Sequence, residues 1–345
     1  FDFDPSDALS SEEEIHWAVS EWRRSVAMDR VGVSLAKRPL WAVKTFTIDK
    51  IAYSALCIHH ALYDGSSIKA IWDRVHAEYD ALGSGQRDAL PPLTSLPDQC
   101  KYAFACTAEE RSGSLHHWEM QLRARGPATL LPDLTSVKVS SDEKVAAQFV
   151  AARRSFRYKT SRPLAVGVST LIKTALAMVL GQYAETEDSC HIVLGEVLSL
   201  RHLHTSLSTE RGAVGPLLTT LPFSLLLTAA SKHESIVSIC ERGAIVHPSI
   251  KHRFAPLGAL AKIMGTRPDQ EIFTAMYVYH QFRHPDGSVQ KGSPQEEQSW
   301  ALLEERESDV RVEHSTVLNV HEQGETDDDG LLLELSMKED RVSNE

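Results

Sequence analysis

The chain has 345 residues, enough for about two domains at roughly 150 residues each, and is 42% apolar and 24% charged. Those proportions suit a soluble globular protein and exclude a wholly disordered chain, a collagen-like repeat and a small disulfide scaffold. Lys plus Arg is 36 and Asp plus Glu is 47, a formal net charge of −11, which repels phosphate backbones and argues against a nucleic-acid partner. Apolar runs such as residues 192–194 and 222–227 fall far short of a membrane span. No basic segment followed by an apolar one opens the chain, so no signal peptide is read. The five cysteines (Cys57, Cys100, Cys106, Cys190 and Cys240) are scattered without a CxxC pair. Neither a disulfide framework nor a zinc site is supported, and a cytoplasmic location is expected.

Ser11 and Glu14 form a capping box ahead of Ile15, Ala18, Val19 and Trp22, which recur at helical spacing. Pro39 restarts the chain into a strand over 40–48, and a second strand over 51–60 follows after Asp49-Lys50, predicting a hairpin. Beyond Asp64-Gly65 the period changes to 3.6: Ile68, Ile71, Trp72, Val75, Tyr79 and Leu82 mark one helix face, with Gly83 placed to end it. Residues 83–97 read as a surface loop, 109–122 as a helix with Leu115 and Trp118 inward, and 127–143 as a connection. Strands are predicted over 149–158 and 191–198, a strongly apolar helix over 169–183, and an extended run over 214–227 broken by Pro216 and Pro222. Further strands are expected at 272–281 and 311–320, the latter pairing with 331–337 across a polar loop. No repeat of 20–50 residues is present, so two halves of mixed strands and helices result.

The segment that stands out is Cys57-Ile58-His59-His60-Ala61-Leu62-Tyr63-Asp64-Gly65-Ser66. On a strand, successive side chains alternate between faces, so His59 and His60 are expected to diverge and to hold different roles. An imidazole titrates near neutral pH and suits proton transfer. Asp64 either bonds its own backbone or holds an Arg from elsewhere, while Gly65 tolerates positive φ and close approach of a ligand. Diverging histidines without a third ligand nearby do not make a metal site. His116-His117 in a helical pattern and His284-Pro285-Asp286-Gly287 in a polar loop look similar but read as structural or solvated. No GxSxG, P-loop, GxGxxG or HExxH signature is found.

His59-His60-Ala61-Leu62-Tyr63-Asp64-Gly65 resembles the HHxxxDG motif of condensation domains of non-ribosomal peptide synthetases. Other stretches match in the family's order. Pro39-Leu40 resembles its "PL(F/W)" segment, and residues 115–122 with Trp118 resemble its "yW…qL" helix. Residues 193–201 resemble the strand ending in "G…SGR", 214–222 resemble "iGp…NTlP", and 273–281 resemble "F…vyq". Leu200 stands where the family has Gly, and Thr219 where it has Asn. The family's first two core motifs are not found, so the resemblance implies that the N-terminal part of the first lobe is missing.

The resemblance implies an α/β (α+β two-layer) fold: two chloramphenicol-acetyltransferase-like lobes forming a V-shaped pseudo-dimer around a tunnel. The lobes are expected at residues 1–142 and 143–345. It implies amide-bond formation between a donor acyl thioester and an acceptor amine, each on the 4'-phosphopantetheine of a carrier protein, with no cofactor or metal held by this domain. His60 would be the catalytic residue, as base or as positioning group. Asp64 would pair with Arg201 to fix the loop, Gly65 would keep the tunnel clear, and His59 would pack or hydrogen-bond. Partners would be donor and acceptor carriers and an adjacent adenylation domain, without an obligate homo-oligomer. The HALYDG wording is similar to that of fungal synthetases, including those making hydroxamate siderophores.

Rival readings are another acyltransferase of the same fold and a non-catalytic domain that docks a carrier. A plant-type acyltransferase would carry a DFGWG-like segment, an epimerisation domain an EGHGR-type pattern, and a cyclisation domain aspartates in place of the histidines. None of these is present.

Overall fold

In this computed structural model the described residues are 12–28, 39–48, 51–85, 93–126, 128–129, 149–157, 166–184, 189–207, 213–245, 250–267, 271–280, 316–323 and 330–338. Backbone contacts group the chain into two compact units. Phe1–Ala103 and Arg201–Leu217 form one; Phe104–Leu200 and Leu218–Glu345 form the other. The expected boundary at 142/143 lies outside the described residues, and the grouping by contacts places helix 108–122 with the second unit.

In the first unit, α1 (Glu12–Met28) precedes a two-stranded antiparallel hairpin of β1 (Trp41–Ile48) and β2 (Ile51–Ile58). The register pairs Trp41 with Ile58 and Ile48 with Ile51, as the 49–50 turn predicts. Phe46 is buried in it, with the Lys44 ammonium over its ring. The helix α2 (Gly65–Ser84) ends two residues later than Gly83 suggested, because Gly85 takes the left-handed conformation (φ 72°) that closes it. Its buried row is also not the large-residue stripe. Ser67, Ala70 and Ala81 are buried, whereas Val75, Tyr79 and Leu82 are exposed. Ile68, Ile71 and Trp72 of that stripe are half-buried. A helix unforeseen from the sequence, α3 (Leu96–Phe104), occupies part of the expected loop, with Asp98 in its first turn bonded to Ser95 Oγ.

The second unit is built on a mixed six-stranded sheet, ordered β3-β8-β7-β6-β4-β5. Its strands are β3 (Phe149–Arg157), β4 (Ser189–Ser199), β5 (Leu218–Thr228), β6 (Ala275–His280), β7 (Thr316–Gln323) and β8 (Gly330–Lys338). β4, β6 and β7 run parallel; the other pairings, including the predicted β7–β8 hairpin, are antiparallel. The first five residues of the strand expected at 311–320 lie outside the described residues. Helices α4 (Ala108–Leu122), α5 (Val168–Gln182), α6 (Ile236–Ile245) and α7 (Leu257–Met264) complete the unit, the last two unforeseen. Trp118 is fully buried among Leu122, Val193, Leu221, Leu260 and Phe273. Tyr183, the last residue of the helix expected over 169–183, is 56% exposed. At Gly195 in β4 an added Cβ would lie 2.5 Å from Phe273 and Met276 side-chain atoms, so only glycine fits.

Two buried polar assemblies hold this unit together. On α5, Lys173 Nζ donates to both carboxylate oxygens of Glu196 on β4, at 2.7 and 2.9 Å, and lies over the Phe223 ring. Burial pushes the Lys173 pKa down, with Glu196 partly opposing that shift. Elsewhere His191 Nδ1 donates to the Gly126 carbonyl at 3.0 Å, so Nε2 accepts from Ser224 Oγ at 2.6 Å. Arg125 donates to the same hydroxyl. The Ser–His pair has the atoms of a nucleophile and base, but Ser224 is 0% and His191 3% exposed, so it acts as a clamp.

His117 on α4 stacks on His252 with ring centroids 3.8 Å apart, and Trp118 Nε1 donates to the His252 carbonyl. Burial, and secondarily His252, lowers the His117 pKa; burial, then Lys251, lowers that of His252. A histidine whose folded pKa is depressed adds stability above its unfolded pKa, about 6.5, and loses it as pH falls through the lowered folded value. The denaturation midpoint should therefore fall from about pH 7.5 to about pH 5.5, and less steeply in His117→Phe, as followed by tryptophan fluorescence. Equal slopes in the two proteins would contradict this assignment.

Candidate active site

The hairpin ladder stops at Ile58, one residue before the histidines, so the expected alternation of His59 and His60 across a strand does not occur. The His59 amide donates to the carbonyl of Leu40, the residue before β1, at 2.7 Å. The chain then makes a single 3-10 turn, His60–Leu62, and both imidazoles are exposed.

The two rings are fixed in opposite ways. His59 caps the turn: its Nδ1 accepts from the Ala61 amide at 3.1 Å, so that nitrogen carries no proton. His60 Nδ1 lies 3.0 Å from the Tyr63 carbonyl oxygen, which can only accept; Nδ1 therefore carries the proton. In the neutral ring this leaves the lone pair on Nε2. The His60 ring also stacks on the Tyr63 ring, with centroids 4.6 Å apart and planes 12° apart.

Behind this turn lies a buried polar network. Asp64 is the N-cap of α2, and its Oδ1 accepts from the amide and hydroxyl of Ser67 at 2.9 and 2.8 Å. Its Oδ2 accepts from the Leu217 amide at 3.1 Å. Arg201 opens the 3-10 turn that follows β4 in sequence, and its Nη2 donates to Asp64 Oδ1 at 2.7 Å and to Ser67 Oγ at 3.0 Å. Its Nη1 donates to the Leu207 and Ala213 carbonyls. The structure thus joins Asp64 and Arg201, which are 137 positions apart in sequence. Leu200, out of pattern in sequence, is a fully buried apolar residue and does not disturb the pair.

Gly65 begins α2 without a positive φ, so the conformational freedom expected of it is not used. An added Cβ there would meet nothing within 4 Å. Ser67 and the Gly215 backbone escaped the sequence reading. Ser67 was legible as the second half of the capping box in Asp64-x-x-Ser67, whereas Gly215 contributes only backbone groups, which leave no mark on the sequence. Of the two look-alike segments, His116 is exposed, and 284–287 lie outside the described residues. Among the described residues, no group of three or more His, Cys, Asp or Glu side chains is placed to hold a metal ion.

A family model described as the condensation domain matches residues 7–323. The chain belongs to the condensation-domain family. This condensation domain is 53% identical over 352 residues to the siderophore peptide synthetase fer3 of Mycosarcoma maydis, across 98% of this chain and 7% of the relative. The ferrichrome siderophore peptide synthetase of Mycosarcoma maydis is 25% identical over 231 residues, covering 64% of this chain and 5% of the relative. The chain therefore spans only a small part of the curated relatives it matches.

In structure, the condensation domain is similar to the starter condensation domain of rhizomide synthetase RzmA bound to C8-CoA. The TM-score is 0.61 at 16% identity, over 97% of this chain and 71% of that one. The X-domain from teicoplanin biosynthesis gives a TM-score of 0.61 at 17% identity, over 90% and 70%. The mixed α/β fold read from the sequence is the fold of these structures.

Proposed function

We propose that this condensation domain joins two carrier-bound building blocks through an amide bond, with His60 as its catalytic residue. The observation that carries the reading is the His60 ring, exposed and with Nδ1–H committed to the Tyr63 carbonyl, which leaves Nε2 as the acceptor. The acceptor amine attacks the donor thioester carbonyl, so that a C–N bond forms and the C–S bond breaks. His60 Nε2 takes the proton from the amine nitrogen and returns it to the departing thiolate. Such proton transfer is worth about 10²–10⁴-fold in rate. Tethering both reactants adds a proximity term.

In this reading the substrates are presented on 4'-phosphopantetheine by a donor and an acceptor carrier, with an adenylation domain adjacent in the synthetase. Asp64 and Arg201 hold the turn that carries His60, and His59 closes that turn. The identity to the fer3 synthetase supports a siderophore peptide as product class. No helix among the described residues is long and apolar enough to cross a membrane, and a cytoplasmic location accords with the absence of disulfides among Cys57, Cys100, Cys106, Cys190 and Cys240.

The test incubates the domain with two carriers, each loaded with an aminoacyl group, and follows both by intact mass spectrometry. The acceptor carrier should gain the donor acyl mass, and only when both thioesters are present. Hydrolysis of the donor without transfer would contradict the reading.

Gly65 gives a separable expectation. Its open surroundings mean that Gly65→Leu should fold with an unchanged melting temperature while product formation falls about tenfold, or about 1.4 kcal/mol in barrier. Undiminished product formation by a folded Gly65→Leu domain would remove Gly65 from the substrate path.

A further inference from the structure

Between Asp64 and the histidines, the Tyr63 side chain has no part in the roles set out above. The geometry points to Tyr63 as a positioning residue for His60, its ring setting the plane in which Nε2 is presented; this inference rests on the catalytic reading of His60. The two residues stand three apart: His60 opens the 3-10 turn, and Tyr63 closes it in extended conformation with its amide donating to the His60 carbonyl. Their rings stack at 4.6 Å with planes 12° apart. Tyr63 also supplies the carbonyl that accepts the hydrogen bond from His60 Nδ1–H at 3.0 Å.

These two contacts restrain different motions. The hydrogen bond to the carbonyl fixes one nitrogen and the tautomer, but leaves the imidazole able to swing about the Nδ1–O line. The aromatic face removes that freedom. His60 is itself exposed, and so has little other packing to hold it. Any amino acid at position 63 would supply the carbonyl; only a flat ring supplies the stack. Tyr63 is half-buried and directly precedes Asp64, so the Arg201–Asp64 pair anchors the backbone from which both contacts come.

The test compares wild type, Tyr63→Phe, Tyr63→Leu and His60→Ala with two loaded carriers, measuring single-turnover rate against carrier concentration. Tyr63→Phe should stay within about twofold of wild type, because the ring is kept. Tyr63→Leu should lose about tenfold or more in maximal rate with its carrier KM unchanged, since misplacement of a reacting group costs rate rather than binding. In histidine-labelled protein the His60 Cε1–H resonance, assigned by its loss in His60→Ala, should move in Tyr63→Leu but not in Tyr63→Phe. Wild-type protein should also show a ring-to-ring nuclear Overhauser effect between His60 and Tyr63, a readout that stands even if Tyr63→Leu does not fold. Its absence would overturn the inference, as would wild-type rate in Tyr63→Leu beside an inactive His60→Ala. Product from His60→Ala at the wild-type rate would instead overturn the catalytic reading.

Discussion

Asp64→Ala should lower the unfolding free energy by about 3–5 kcal/mol, the cost typical of breaking one side of a buried ion pair. Asp64 and Arg201 side chains are 8% and 10% exposed, so solvent does little to screen the charge left behind. The substitution also removes the N-cap of α2, a loss of about 1 kcal/mol by itself, and leaves the Leu217 amide without its acceptor. Asp64→Asn should cost less, because a side-chain oxygen still caps the helix while the charge is lost. Arg201→Ala should fall between them: Asp64 retains the Ser67 amide, the Ser67 hydroxyl and the Leu217 amide as donors. Denaturant midpoints of the three variants measure this order, and an Asp64→Ala domain as stable as wild type would contradict the network. Since Tyr63 adjoins Asp64, product formation should fall with stability in Asp64→Ala.

Lys173→Met should be comparably costly, about 3–5 kcal/mol, because it leaves the Glu196 carboxylate buried and uncompensated. Lys173 is 0% exposed and Glu196 5%, and the pair ties α5 to β4 in the middle of the second unit. A buried pair replaced on both sides by apolar groups of similar volume is often neutral or better. The Lys173→Met, Glu196→Leu double variant should therefore recover most of what the single variant loses. Calorimetry of the single and double variants gives the coupling directly, and strictly additive losses would show that the two charges do not stabilise each other. These variants should leave the His60 turn intact, which sets them apart from Asp64→Ala.

The elements read most clearly from sequence were those with a long period or a marked turn: the β1–β2 hairpin, α5, β4 and the β7–β8 hairpin. The helices that escaped have identifiable reasons. In α3, Pro97 suggested a loop, yet it sits in the first helical turn, where a missing amide proton costs nothing. In α7, eight residues rich in Leu, Ala, Ile and Met carry too short an apolar run to separate helix from strand. On α2 the large apolar residues suggested the buried face, whereas the buried positions are Ser67, Ala70 and Ala81, with Ile68, Ile71 and Trp72 half-buried.

At the site, the motif pointed to His60, Asp64 and Arg201 because each is a side chain with distinctive chemistry. What it did not convey is geometry: that β2 ends before His59, or that the Tyr63 carbonyl selects the His60 tautomer. Those features arise from backbone groups, which are common to all residues. The buried Lys173–Glu196 pair was equally silent, because its members lie 23 positions apart with no pattern joining them.

We propose that amide-bond formation depends on His60. The most direct measurement is single-turnover transfer between two loaded carriers by wild type and His60→Ala at matched, verified folding. The rate in His60→Ala should fall by about 10²–10⁴-fold while the denaturation midpoint stays near that of wild type, since the ring is exposed and outside the Asp64–Arg201 network. Transfer by His60→Ala at the wild-type rate would contradict it.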